Sequence, residues 1–292
     1  MTTSHDRVPE GGLLEMTFRL DNRGRTVLSH LYRRVPIVVQ QALYFDEELP
    51  TMACVYILSA GGPTLEGDHS RMTILLEPHT MAHISTGAAT VVASMSGGRA
   101  QMVQRLTLRE GSHLEWLPQP LIPSSGADYT TRAEITIDPS ATLFWSEVVT
   151  CGRLHHGERF AYRKLRSEMQ IRRPDGELLF WDNLLLEPSD RSPDEWALMG
   201  GFNHFGTVLI LAPEEHTAML AAEISPRAKG TIKQSVATLN KGCGVLVRIV
   251  GQETESIVAT IRALCSLVRR RVKGHSLPNE FPWRTPGEIN QL

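Results

Sequence analysis

The chain has 292 residues, with 30 Lys and Arg against 32 Asp and Glu for a formal net charge of −2, a balance that argues against nucleic acid held through phosphate neutralisation. Residues 1 to 12 are polar and charged, and no apolar run approaches the roughly 18 residues of a membrane span, so a cytoplasmic protein with no membrane partner is expected. A chain this long buries about three quarters of its unfolded surface; Cys54, Cys151, Cys243 and Cys265, with no C-x-x-C pair, then read as free cytosolic thiols rather than as a disulfide framework.

Period-two alternation dominates the first two thirds: Met72, Ile74 and Leu76 are set against Thr73, and Ile135 and Ile137 flank Thr136, as half-buried strands require. Turn signals recur between such runs, at Asn22-Arg23-Gly24, Gly61-Gly62-Pro63, Gly97-Gly98, Asp138-Pro139-Ser140 and Pro174-Asp175-Gly176. Pro118, Pro120 and Pro123 punctuate strand-like sequence and cannot sit inside a central ladder. This spacing favours an antiparallel sandwich, a barrel or a coil of strands over a βαβ fold. The fold class predicted is mainly β, a coiled or helical arrangement of many short strands (β-helix-like or sandwich-like), with two helices in the C-terminal third and residues 1–292 forming a single domain.

Pro213 opens the first of these helices, which runs through about Glu223, with Glu214 and Glu215 at its positive end. The second follows Gly251, where Ile257, Ile261, Leu264, Cys265, Val268 and Val272 recur at three- and four-residue spacing. Glu253 and Glu255 begin it; Arg269, Arg270, Arg271 and Lys273 end it before Gly274 and read as complements to the helix dipole. Residues 275–292, rich in Pro and carrying Trp283, read as an irregular tail that could dock on the body or on a partner.

The sequence lacks a G-x-x-x-x-G-K-[ST] loop, an H-E-x-x-H pair, a G-x-S-x-G elbow and a deaminase zinc signature, which weakens any enzyme reading. His79 and His83 have metal-ligand spacing only on a helix, and on a strand they would stand about 13 Å apart. His155 and His156 fall in a predicted turn beside Cys151 and Glu158, a set that could attract Ni²⁺ through imidazole or thiolate or remain a solvated turn. Used as ligands, those four residues would make the chain a β-rich metal-dependent hydrolase or lyase, the main alternative. A carbohydrate-binding sandwich would want aromatic platforms, and aromatics make up only 6 % of the chain. His113 and Glu115 share a strand face and read as a packing pair.

Several segments resemble a known family in combination. They include Gly61-Gly62 leading to Gly67-Asp68, Ser85-Thr86-Gly87-Ala88-Ala89-Thr90, Leu114-Glu115-Trp116-Leu117-Pro118-Gln119, and Gly152-Arg153 leading to Gly157-Glu158-Arg159-Phe160. Asp175 to Asp182 and Val247 to Gly251 complete the pattern. Together these residues resemble the urease accessory protein family UreD, also called UreH. Two departures stand out: Val91 and Ala93 replace a Lys and a Tyr common in the family, and the tail reads Pro278-Asn279-Glu280-Phe281-Pro282-Trp283.

The resemblance implies a non-enzymatic scaffold in a hetero-oligomeric complex, binding apo-urease on one side and UreF on the other, with UreF docking the GTPase UreG. It also implies no tightly bound cofactor and transient nickel passing through an interior route. A conducted ion needs oxygen ligands strong enough to replace hydration yet weak enough to release it. On that reasoning the candidate passage residues are Asp68, Glu147 and Asp182, followed by Thr86, Thr90, Glu115 and Glu158. The competing account is a structural ion pair, for example Glu147 with Arg153 or Asp182 with a nearby Arg.

Overall fold

Alternation with a period of two gives each strand one apolar face, and that face must meet another across a gap. A computed structural model describes residues 11–195 and 199–278. The chain runs β1 (Leu13–Leu20), β2 (Thr26–Arg34), β3 (Ile37–Val38), β4 (Ala53–Ser59), β5 (His69–Leu76), β6 (Met81–Thr86), β7 (Thr90–Val92) and β8 (Ala100–Leu108). It continues through β9 (His113–Leu117), β10 (Leu121–Pro123), β11 (Asp128–Ile137), β12 (Thr142–Thr150), β13 (Lys164–Arg172), β14 (Leu178–Leu186) and β15 (His204–Leu211). The last third holds α1 (Glu214–Glu223), β16 (Arg227–Lys229), β17 (Ile232–Thr238), β18 (Gly244–Gly251) and α2 (Thr254–Lys273).

Two sheets result, ordered β14-β13-β11-β8-β5-β1-β2 and β16-β17-β18-β15-β12-β9-β6-β4-β3. From β4 to β13 the longer strands alternate between them, and those in one sheet lie parallel: β5, β8, β11 and β13 in the first, β4, β6, β9 and β12 in the second. Each turn of the chain therefore lays one strand on each face of a coil. Of the architectures the spacing allowed, the coil is the one formed. The antiparallel option holds only at the ends, in β1–β2, in β3–β4, in β13–β14 and in the β12-β15-β18-β17-β16 series. Parallel neighbours need a long crossover, and here a strand of the opposite sheet supplies it where a helix would in a βαβ unit. All five predicted turn signals fall between strands.

The main core fills the gap between the sheets, where Leu14, Phe18, Ile74, Leu106 and Ile135 face Ile84, Leu114 and Leu143. Trp116 and Trp145 stack there with ring centroids 5.1 Å apart. A second core lies on the outer face of the larger sheet, where Ile257, Ile261, Leu264, Cys265 and Val268 of α2 cover Phe144, Val148, Val208 and Val247. Both helices fall where their sequence signals placed them, with Pro213 as the residue before the first turn rather than its first member. No helix among the described residues is long and apolar enough to cross a membrane. Of the predicted tail, residues 275–278 are described and Leu277 packs on the helical core; the rest, with Trp283 and the altered Asn279 to Trp283 segment, lies outside the described residues.

One reading of α2 is corrected. Arg269 does not serve the helix dipole in solvent; it lies one turn beyond Cys265 on the apolar stripe and is 1 % exposed. Its Nε and Nη2 donate to the two carboxyl oxygens of Glu115 at 2.7 and 2.6 Å, and Nη1 donates to Asp46. Glu115 also accepts from His83 Nδ1 at 2.8 Å and His113 Nε2 at 3.1 Å. Burial works against its charge, but the hydrogen bonds from Arg269, His113 and His83 prevail and hold the carboxyl well below its ordinary range. Position along the helix suggested a solvated cation because the stripe has no apolar residue at 269, while its partners come from a loop and from β9, far off in sequence.

Removing one member of a fully buried pair strands the others, a loss of about 3–5 kcal/mol. Arg269→Met should lower unfolding stability by that amount in urea, whereas Arg270→Met, one residue along and exposed, should change it by less than about 0.5 kcal/mol. Equal effects would show that α2 does not depend on the buried pair.

Candidate functional site

Apolar side chains fill the space between the sheets as far as Trp145 on β12 and Met169 on β13. The next inward positions are Glu147 and Ser167, whose hydroxyl donates to Glu147 Oε2 at 3.3 Å. Along the seven-stranded sheet one register level runs Ser70, Met102, Thr131, Ser167 and Leu184, paired strand to strand from β5 to β14. Mostly short or polar, these side chains do not span the gap, and a cavity of about 590 Å³ opens over them. The larger sheet leaves the same space open because β9 ends at Leu117 and the chain departs through Pro118 and Pro120, as the proline spacing requires.

Four of the seven candidate passage residues, Asp68, Thr86, Thr90 and Glu147, line this cavity. Asp68 spends one carboxyl oxygen on the backbone N–H of Leu65, at 2.7 Å, which closes its glycine-rich turn. The Thr86 hydroxyl donates to Ala88 O at 3.0 Å and accepts from the Gln119 N–H at 2.9 Å. Glu147 keeps some accessible surface because it borders the cavity, yet protein surrounds it. Burial is the main cause that pushes its carboxyl up to about 7; the Ser167 hydrogen bond and the Arg248 charge pull it down, and Asp182 pushes it further up.

Asp182 stands next to this group on β14, and of the two ion pairs anticipated as alternatives only its own forms. Arg248 on β18 donates to Asp182 Oδ2 at 2.5 Å and to the Thr207 hydroxyl at 2.6 Å. Glu147 is not joined to Arg153, which binds Glu158 instead. Strand register explains the grouping: Glu147, Thr207 and Arg248 are direct neighbours across β12, β15 and β18, so their side chains form a polar row on the face turned toward β13 and β14. Sequence reasoning passed over Arg248, Thr207 and Ser167. For Arg248 a signal existed, a lone cation between Val247 and Ile249 in an apolar strand.

A second cavity of about 770 Å³ lies on the outer face of the larger sheet under α2, bordered by Asp46, His83, Ser146 and Arg269. Both cavities border Leu58, Thr86, Gly87, Pro118 and Gln119, at the ends of β4, β6 and β9, and Val148 on β12. Gly87 fits this rim because any Cβ there would collide with Leu58.

The remaining candidates lie elsewhere. Glu115 points to the α2 side of its strand and belongs to the buried Arg269 group. Glu158 accepts from Arg153 Nε at 2.8 Å and from the Ser125 N–H at 2.9 Å, pinning one loop to another. His155 and His156 sit exposed on a short 3₁₀ turn, Leu154–His156, whereas Cys151 is buried and its thiol is pushed up by that burial. His83 lies on a strand and bonds Glu115. Among the described residues no group of three or more His, Cys, Asp and Glu side chains could hold a metal ion.

A family model described as "UreD urease accessory protein" matches residues 10–284. The chain is 36 % identical over 282 residues to the urease accessory protein UreD of Photorhabdus laumondii subsp. laumondii, covering 95 % of this chain and 87 % of the relative. It is 38 % identical over 263 residues to the urease accessory protein UreD 2 of Brucella suis biovar 1, covering 89 % and 87 %. With the urease accessory protein UreD of Yersinia enterocolitica the identity is 34 % over 287 residues, covering 95 % and 88 %.

The raised Glu147 carboxyl makes a signed prediction. Between the ordinary carboxyl value and about 7 the folded state binds more protons here than the unfolded state, so stability falls as pH rises through that window. Glu147→Gln removes this penalty. The variant should match the parent near pH 4.5 and exceed it at pH 8 by roughly 1–3 kcal/mol, discounted for solvent in the cavity. Urea titrations of both proteins at the two pH values measure the difference; a gap that does not grow with pH would refute the assignment.

Proposed function

Because the chain belongs to the UreD urease accessory protein family and so has a role in urease maturation, we propose that it acts there as a non-catalytic scaffold that carries nickel between partner proteins. The partners in this reading are apo-urease and the accessory proteins UreF and UreG, and the nickel ion is cargo. The observation that carries the proposal is the convergence of Asp68, Thr86, Thr90 and Glu147 on one interior cavity, with Asp182 adjacent.

A cation in transit has to exchange its water for ligands at each stage without falling into a deep well. Spaced carboxylates and hydroxyls suit that task, because hard oxygen donors hold a late first-row divalent ion more weakly than a thiolate or imidazole cage. The rim that the two cavities share, at Thr86, Gly87, Pro118 and Gln119, is where a route would cross from between the sheets to the α2 side. The hydrolase or lyase alternative gains nothing: His155 and His156 face solvent, Cys151 is buried as a neutral thiol, and Glu158 is committed to Arg153.

The test separates conduction from assembly. Glu147→Leu and Asp182→Leu should leave co-purification with urease and the accessory proteins intact while nickel-dependent urease activation falls about tenfold, the effect of losing ~1.4 kcal/mol of ion stabilisation along the route. Complexes that fail to assemble would show these carboxylates to be structural, and full activation by both variants would end the passage reading.

A further inference from the structure

The polar row beside the cavity already contains a cation. Glu147, Thr207 and Arg248 stand side by side on β12, β15 and β18, and the Arg248 guanidinium crosses to the other sheet to bind Asp182 on β14 while it donates to Thr207. It therefore occupies the carboxylate that an ion leaving Glu147 would meet next. A guanidinium does not lose its proton in a protein, so the charge at this position is permanent. The side chains of Arg248 and Asp182 are 35 % and 31 % exposed, which places the pair at the open border of the inter-sheet space. Partly exposed pairs of this kind are weak and can exchange partners.

We propose that Arg248 is a tethered counter-cation for the passage: a divalent ion takes Asp182 and Glu147 only by displacing the guanidinium, and the return of Arg248 to Asp182 drives the ion onward. The inference rests on the passage reading. It supplies two things that carboxylates alone do not. One is selectivity by charge, because a free monovalent ion must compete for Asp182 with a monovalent group held at high effective concentration by its own backbone, whereas a divalent ion brings twice the Coulomb attraction. The other is release: when the ion departs, Asp182 is re-paired at once and is not left as a vacant anion that would rebind it. Thr207, 7 % exposed and fixed to Arg248 by its hydroxyl, keeps the guanidinium in reach.

Nickel binding to the full chain, purified with whatever partners accompany it, tests this directly. Equilibrium dialysis with Ni²⁺ and stopped-flow release into a chelator are compared for the parent, Arg248→Gln and Arg248→Lys. Arg248→Gln should bind Ni²⁺ about 5–10-fold tighter and release it slower by a similar factor, because a competitor worth about 1 kcal/mol is gone. Arg248→Lys should stay within about threefold of the parent, since the charge is retained. Adding Asp182→Asn to Arg248→Gln should abolish the gain. Unchanged or weaker binding by a folded Arg248→Gln protein, as judged by its thermal unfolding, would reduce Arg248 to a tie between the sheets. So would the absence of measurable Ni²⁺ binding in both parent and variant. The two readings fail separately: full activation by the Leu variants of Glu147 and Asp182 removes the passage, whereas reduced activation together with an unaltered Ni²⁺ affinity in Arg248→Gln removes only the tethered cation.

Discussion

The gap between two facing sheets governs this molecule. Facing sheets sit about 10 Å apart, a distance that inward side chains must fill or leave to solvent. Over most of the coil they fill it, with Leu and Ile from both sides, Met from the seven-stranded sheet and the Trp116–Trp145 stack at the centre. At the level of Ser70, Thr131, Ser167 and Glu147 they do not, and a cavity takes over. The change occurs within two residues along β12, from Trp145 to Glu147, and within two along β13, from Met169 to Ser167. Core and cavity are thus successive levels of one architecture, and the coil that packs the first also frames the second.

The larger sheet uses its other face for a different purpose. Glu115 and Glu147 are both acidic residues on strands of that sheet, yet their environments drive them in opposite directions. Glu115 accepts hydrogen bonds from a guanidinium and two imidazoles and stays charged in full burial. Glu147 has one hydroxyl donor and a more distant Arg248, so burial dominates and the carboxyl titrates near neutrality. The first locks α2 onto the sheet; the second faces the cavity. An alternation of one residue along the pleat decides which side of the sheet a carboxylate serves.

On the passage reading, the family's role in urease maturation and this geometry meet at the cavity. A body that hands an ion between neighbours must be rigid around the route and permissive within it. The coil and the Arg269 anchor supply the rigidity, and the polar level between the sheets supplies the permissive part. Arg248 holds a positive charge at the open border of the inter-sheet space, and on our reading it makes the passage responsive to the charge of what enters.

Much of this was legible in the residues. Alternation at Met72 to Leu76 and Ile135 to Ile137, the five turn signals and the two helix patterns follow from local rules, and each appears in the structure at the predicted place. Prolines at 118 and 120 marked where β9 ends. Local rules could also name acidic residues in apolar company, since a charge on a buried strand is conspicuous wherever it occurs. What they could not state is which of those charges share a space. Glu158 finds Arg153 five residues away, Glu115 finds Arg269 from the last helix, and Asp182 finds Arg248 across the gap between sheets. Whether coiled strands run parallel or antiparallel was likewise open, because period-two alternation is the same in both. The sequence by itself determined the strands, their apolar faces and the family, all of which are written in neighbouring residues. Only the tertiary structure decided the coil, the cavity and the partner of each buried charge, because those depend on strand register, which brings residues far apart in the chain to within hydrogen-bonding distance.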